Sequence, residues 1–191
     1  MKRHPMTETM MRRKTMCMIA AALWTTATAA AAQQHTTVQL NLINEKGMGA
    51  AIGSVTLTDT PKGLAIEPNL TGLPPGQHGF HVHEKPNCAA AEKDGKLVPG
   101  LAAGDHYDPT ESKAHRGPEH DGHRGDLPVL TVEKDGVATG KMLAPHLKVA
   151  DLRGRSLVIH AGGDNYADTP KPLGGGGDRI ACGIFDVKMA Q

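Results

Sequence analysis

Three histidines and a cysteine fall within "HGFHVHEKPNC", residues 78–88. On an extended strand alternate side chains share a face, so His81 and His83 project together while Phe80 and Val82 face the other way, into a core. Two imidazoles on one face form a clamp for a transition metal. A pair of solvent-facing polar residues would give the same pattern, so the clamp gains meaning only from further donors. These lie in "GDHYDPTESKAHRGPEHDGHRGDLP", residues 104–128, which brings His106, His115, His120, His123 and Asp126 into one loop. Three imidazoles and a carboxylate make a closed tetrahedral set, which suits a structural zinc rather than a catalytic one with an open position. His123 and Asp126, three apart around Gly125, can turn onto one ion. His120 rivals His115 and His123 for that set. A last donor, His160, ends the run "SLVIH", and Asp164 follows four residues later as an acceptor for the outer nitrogens of metal-bound imidazoles. His78 reads as a structural histidine bonding backbone, and His146 in "APHLK" as a surface residue.

Such donors need a scaffold, and the chain supplies strands. Apolar and polar residues alternate in "TVQLNL" (37–42), "GSVTLTD" (53–59), "GLAIEP" (63–68), "GFHVHE" (79–84), "VLTVEKDGVATGKML" (129–143), "SLVIH" (156–160) and "IFDVKM" (184–189). Period two with turn residues between bursts, as in "TDTPKG" and "EKDG", predicts antiparallel strands. Nothing repeats apolar residues at helical spacing for more than about two turns, so the expected class is all-β, a sandwich or flattened barrel with Greek-key crossings. Residues 85–126 and 161–180 break the rhythm. They hold most of the Gly, Pro, Asp and His, and loops this long in a compact domain are functional or disordered; bound metal would order them.

The beginning of the chain has a different character. Basic residues (Lys2, Arg3, Arg12, Arg13, Lys14) precede an apolar stretch from Thr15 to Trp24 and small residues ending at Ala32, the pattern of a secretory signal peptide over 1–32. The apolar run is shorter than the roughly 20 residues of a spanning helix. Residues 33–191 then form the expected domain, with no membrane contact once the signal is removed. Without 1–32, Lys plus Arg falls from 21 to 16 and Asp plus Glu from 20 to 19, moving the formal balance from +1 to −3. The remaining basic residues are scattered among acids, which excludes a nucleic-acid surface. Cys88 and Cys182 remain, and two cysteines in an exported chain suggest one disulfide.

Taken in order, "HGFHVHE", "GDHYDP", "HRGDLP", "VIHAGGDN" and "PLGGGGDRIACG" resemble the copper/zinc superoxide dismutases, and among them the exported bacterial branch, over about residues 36 to 188. The resemblance implies an eight-stranded Greek-key barrel and an antioxidant enzyme of the periplasm that dismutates superoxide, a small anion, with one copper and one zinc. It implies copper ligands His81, His83, His106 and His160, and zinc ligands His106, His115, His123 and Asp126, with His106 bridging. It also implies a Cys88–Cys182 disulfide, an anion-guiding role for Arg179, and Asp164 holding one ligand of each metal. Asp105, before the bridging histidine, departs from the family's usual small residue or proline. Exported members occur as monomers and as dimers, so a homodimer is allowed. A single-zinc hydrolase would leave His115, His123 and Asp126 without purpose. A copper-delivery protein would favour thioether or thiolate donors, and outside the signal Met48, Met142 and Met189 are far apart. Should cleavage follow Ala32, His35 would stand third from a free amine, an arrangement that can bind Cu(II).

Overall fold

The computed structural model describes residues 1 and 33–186, so the segment read as a signal peptide lies, apart from Met1, outside the described residues. Eleven strands follow in order: β1 His35–Asn44, β2 Gly47–Thr60, β3 Gly63–Leu70, β4 Gly76–His78, β5 Phe80–His83, β6 Ala91–Lys93, β7 Lys96–Val98, β8 Leu130–Val132, β9 Met142–Ala144, β10 Ser156–His160 and β11 Arg179–Ile184. The only helical elements among the described residues are three short 3-10 turns, and no described helix is long and apolar enough to cross a membrane.

Seven strands pair in the order β5-β10-β11-β1-β2-β3-β9, all antiparallel. The curled sheet closes through shorter pairings. β4 and β5 are one strand interrupted at Gly79; β4 pairs with β8, and Leu70 at the end of β3 bridges Ala138 beyond β8. With 125–132 and 137–144 each counted as one interrupted strand, this is an eight-stranded barrel. Its inside is apolar because the period-two residues of each strand turn inward: Leu40, Leu57, Ile66, Phe80, Val82 and Leu157 are all inaccessible to solvent.

The opposite face of β5, β10 and β11 carries the chemistry. The register sets Val158 against His81 and Ser156 against His83, and Cys182 against Val158. This outer face is also buried, because residues 84–125 and 161–178 fold over it. Within the first covering segment β6 and β7 form a hairpin around Asp94 and Gly95, both with positive φ (53° and 74°), as a two-residue turn matched to strand twist requires. That hairpin lies in a segment whose sequence carries almost no strand signal.

The last strand differs from expectation. Alternation predicts 184–189, whereas β11 spans Arg179–Ile184; residues 187–191 lie outside the described residues. The sequence there, "RIACG", lacks alternation because β11 is buried between β10 and β1. Gly183 is required by closeness, since a Cβ on it would strike the carbonyl oxygen of Gln39.

Candidate metal centre

β10 pairs with one edge of β5, and two loop segments run along the other. Glu84 N donates to Asp105 O (3.0 Å) and Tyr107 N to Val82 O (2.9 Å), which sets His106 beside His83. Val82 N donates to Gly125 O (2.9 Å) and Leu127 N to Phe80 O (3.3 Å), which sets Asp126 beside His81. Residues far apart in sequence are thus delivered by backbone hydrogen bonds to the strand that holds the clamp.

His81, His83, His106 and His160 are buried, and each offers one nitrogen to a group whose members all lie within 4.8 Å of one another. The outer nitrogens fix the tautomers. His83 Nδ1 donates to Gly104 O (2.9 Å), His160 Nδ1 to Gly177 O (3.1 Å), and His81 Nε2 to Asp164 Oδ2 (2.7 Å). The inner nitrogens therefore carry lone pairs. His83 Nε2 and His160 Nε2 face each other at 3.4 Å, while His81 Nδ1 and His106 Nε2 are buried without a hydrogen-bond partner. Converging buried lone pairs repel unless a cation lies among them, so this set fits copper, which accepts imidazole in both oxidation states.

A second group surrounds Asp126. His106 Nδ1 is 2.9 Å from Asp126 Oδ1, His115 Nδ1 is 3.0 Å from Oδ2, and His123 Nδ1 is 3.5 Å from Oδ1. Tetrahedral zinc with bonds of about 2.0–2.1 Å separates its ligands by about 3.3 Å, close to these distances. The nitrogens of His115 and His123 lie near the carboxylate yet make no hydrogen bond to it, as expected of co-ligands. The four-residue group here whose donor atoms all lie within 4.8 Å of one another contains His81 with His106, His115 and Asp126, and not His123. His123 joins through Asp126, with its ring 5.4 Å from that of His106 and 5.9 Å from that of His115. His120, the rival ligand, is exposed.

Asp164 connects the groups: Oδ2 accepts from His81 Nε2 and Oδ1 from His115 Nε2, both at 2.7 Å. It is held by Tyr166 N, which donates to Oδ1 (2.8 Å). Gly174 closes over the pair, where a Cβ would collide with Asp164 Oδ1 and His115 Nε2. Asp168, which no motif in the sequence marks, accepts from His115 N (3.0 Å).

Burial, the largest effect, lowers the pKa of His81, His83 and His106, and that of His160 to about 4. For His115 burial is outweighed by Asp126 and Asp164, which raise it to about 9. Against the same penalty, the hydrogen bond from His106 and the nearby His115 hold Asp126, and hydrogen bonds from His115 and His81 hold Asp164, well below the usual carboxylate range.

Arg179 reaches this face through a bulge. β11 slips one residue between Ile159 and His160, so His160 stands opposite Arg179, and Ile180 packs against the core instead. The guanidinium donates to Gly100 O and, at 2.8 Å, to Gly104 O, the carbonyl that also accepts from His83. Cys88 and Cys182 form a disulfide that ties the covering segment to β11. His78 donates through one ring nitrogen to either His160 O (2.7 Å) or Pro74 O (2.8 Å), which flank its ring. Lys171 and His146 are exposed.

A closed β-barrel whose loop-covered outer face gathers two adjoining groups of buried metal donors, with His81 and His106 common to both, has the build of a dinuclear metalloprotein. The family model for copper/zinc superoxide dismutase matches residues 51–185. A superoxide dismutase [Cu-Zn] of Brucella abortus is 52% identical over 154 residues, covering 80% of this chain and 89% of that protein. The solved Cu/Zn superoxide dismutase from Brucella abortus superposes with a TM-score of 0.78 at 52% identity, covering 80% of this chain and 99% of the other. A solution structure of the monomeric copper, zinc superoxide dismutase from Salmonella enterica gives 0.71 at 50% identity, over 79% and 99%. The chain belongs to the copper/zinc superoxide dismutase family. It is an oxidoreductase with copper and zinc as cofactors and superoxide as substrate.

Proposed function

We propose that His81, His83, His106 and His160 hold copper, that His106, His115, His123 and Asp126 hold zinc, and that His106 serves both. The observation that carries this is the tautomer pattern: each outer nitrogen is taken by an oxygen acceptor, leaving four inner lone pairs convergent. His81 stands in both donor groups but has one free nitrogen, Nδ1, to give; it goes to the copper set because His123, with Nδ1 turned to Asp126, completes the zinc set. When bound, copper supplies the one-electron exchange by which one superoxide is oxidised to oxygen and a second, with two protons, is reduced to hydrogen peroxide, while zinc supplies fixed charge and order.

The chain's residues do the rest. Arg179, one carbonyl away from His83, draws the anion in and orients it; such steering raises association rates about tenfold to a thousandfold, and these dismutases are themselves a standing example. His106 Nε2, whose buried lone pair faces the other three imidazoles, would take up a proton in the reductive half of the cycle and hand it to peroxide. Asp126 keeps the ring in place through Nδ1, and Asp164 fixes His81 and His115.

Residues 1–32 act as the signal that sends the enzyme to the periplasm, where Cys88 and Cys182 can pair. Every candidate ligand comes from one chain, so a second copy is not needed for the reaction, and a homodimer would be an assembly of complete sites. Loading purified protein with copper and zinc tests the reading: one of each per chain, with cyanide-sensitive loss of superoxide, supports it. Two zincs, or metal-loaded protein without activity, overturns it.

A further inference from the structure

Arg179 spends its donors on two neutral carbonyls, Gly100 O and Gly104 O, and takes part in no ion pair among the described residues. The residue after Gly104 is Asp105. Its backbone is pinned by Glu84 N, its side chain is exposed, and its carboxylate makes no hydrogen bond or ion pair among the described residues. It stands in sequence between the carbonyl that holds Arg179 and the imidazole that serves both clusters. Glu84 adds to it, because its side chain lies against Gly104. Asp105, Glu84, Asp108 and Glu111 line one groove with Lys113, His106 and His123, four carboxylates to one lysine beside the imidazole that serves both clusters; Arg179 is not part of its lining.

We propose that Asp105 is a specificity-determining residue that sets the charge selectivity of the copper mouth, admitting a small monoanion while turning away dianions. The inference rests on the reading of Arg179 and the copper set given above. Asp105 touches neither substrate nor metal and acts through the field. Burial lowers the pKa of the Arg179 guanidinium, and Asp105 is the charge that acts in the opposite direction.

The selectivity follows from how a potential scales with ligand charge. A fixed carboxylate changes the occupancy of a monoanion by some factor and that of a dianion by the square of that factor. For an exposed unit charge within one Debye length the monoanion factor is about two to five, so the dianion factor is about four to twenty-five. A cationic mouth without such a residue collects sulfate- or phosphate-like dianions more avidly than superoxide. With Asp105 in place the single positive charge of Arg179 is matched to a single negative one.

The test uses copper- and zinc-loaded wild-type protein, Asp105→Asn, which removes the charge at constant shape, and Asp105→Glu, which keeps it. Azide affinity is read from its copper absorbance, and sulfate affinity from competition with azide at constant ionic strength. Asp105→Asn is expected to bind azide about two- to fivefold tighter and sulfate tighter by about the square of the azide factor, with metal content unchanged and a steeper fall of the superoxide rate with salt. Asp105→Glu is expected to match wild type. Unchanged affinities in Asp105→Asn overturn the proposal, as does an equal gain for azide and sulfate, which would mark a packing effect. Failure of the parent reading shows elsewhere, as loaded wild-type protein that does not consume superoxide.

Discussion

At the scale of single residues, the site works by assigning each histidine nitrogen one task. His106 has both nitrogens committed, Nδ1 beside Asp126 and Nε2 toward the other imidazoles. His106→Ala is therefore expected to lower both copper and zinc content by more than about tenfold in affinity, measured by elemental analysis after dialysis; wild-type levels of either metal would remove it from that cluster. Arg179 differs in that its hydrogen bonds go to neutral carbonyls and no carboxylate pairs with it among the described residues. Arg179→Glu should slow the reaction with superoxide at least about tenfold at low salt and weaken or invert its salt dependence, with metal content intact. Some of this was legible in the sequence: the period of a strand puts His81 and His83 on one side, and His160 ends a clear apolar run. The choice of His123 over His120 was not, because the choice depends on where the backbone of 105–107 and 125–127 meets β5, and those contacts are nonlocal.

At the scale of elements, strands fix directions and loops bring partners. Alternation located β1, β2, β3, β5 and β10 because each has one face in the barrel interior. It failed for β11, whose Ala181, Cys182 and Gly183 are small and enclosed by neighbouring strands. The bulge that re-aims Arg179 has no local sequence mark either, since a register shift belongs to a pair of strands. The loop of 161–178 depends on close approach at Gly174, which has φ of 70° and no room for a methyl beside Asp164 and His115. Gly174→Ala should weaken zinc binding about ten- to a hundredfold while leaving the far-ultraviolet circular dichroism of the barrel unchanged. Competition with a chromophoric chelator measures the affinity, and an unaltered value would mean that the loop closes without this contact.

At the scale of the whole molecule, the metal-free protein has a stability that depends on pH in two directions. His81, His83 and His160 have depressed pKa values when folded, that of His160 about 4, so below about 6.5 the unfolded chain binds protons that the folded one refuses, and stability falls on acidification. His115, raised to about 9, contributes stability that is complete below about 6.5 and is lost as pH rises toward 9. Thermal melts of chelated protein should peak near pH 6.5 and decline on both sides; a profile flat from 4.5 to 9 would contradict these assignments. The disulfide adds a second global constraint. Cys88 and Cys182 are 94 residues apart in sequence, and loss of a cross-link spanning such a loop costs about 4 to 5 kcal/mol in the chain-entropy model. Urea unfolding of the Cys88→Ser, Cys182→Ser double variant checks that figure. Asp164, finally, spans the two clusters with one carboxylate, and whatever settles His115 also settles the plane in which His81 waits. Zinc arriving first would leave copper a ring already oriented, and reciprocity of linked equilibria then requires copper to tighten zinc by the same factor. Two ions held by these sets would thus act as each other's effector, and the order in which they were loaded would change the path but not the final affinity of the pair.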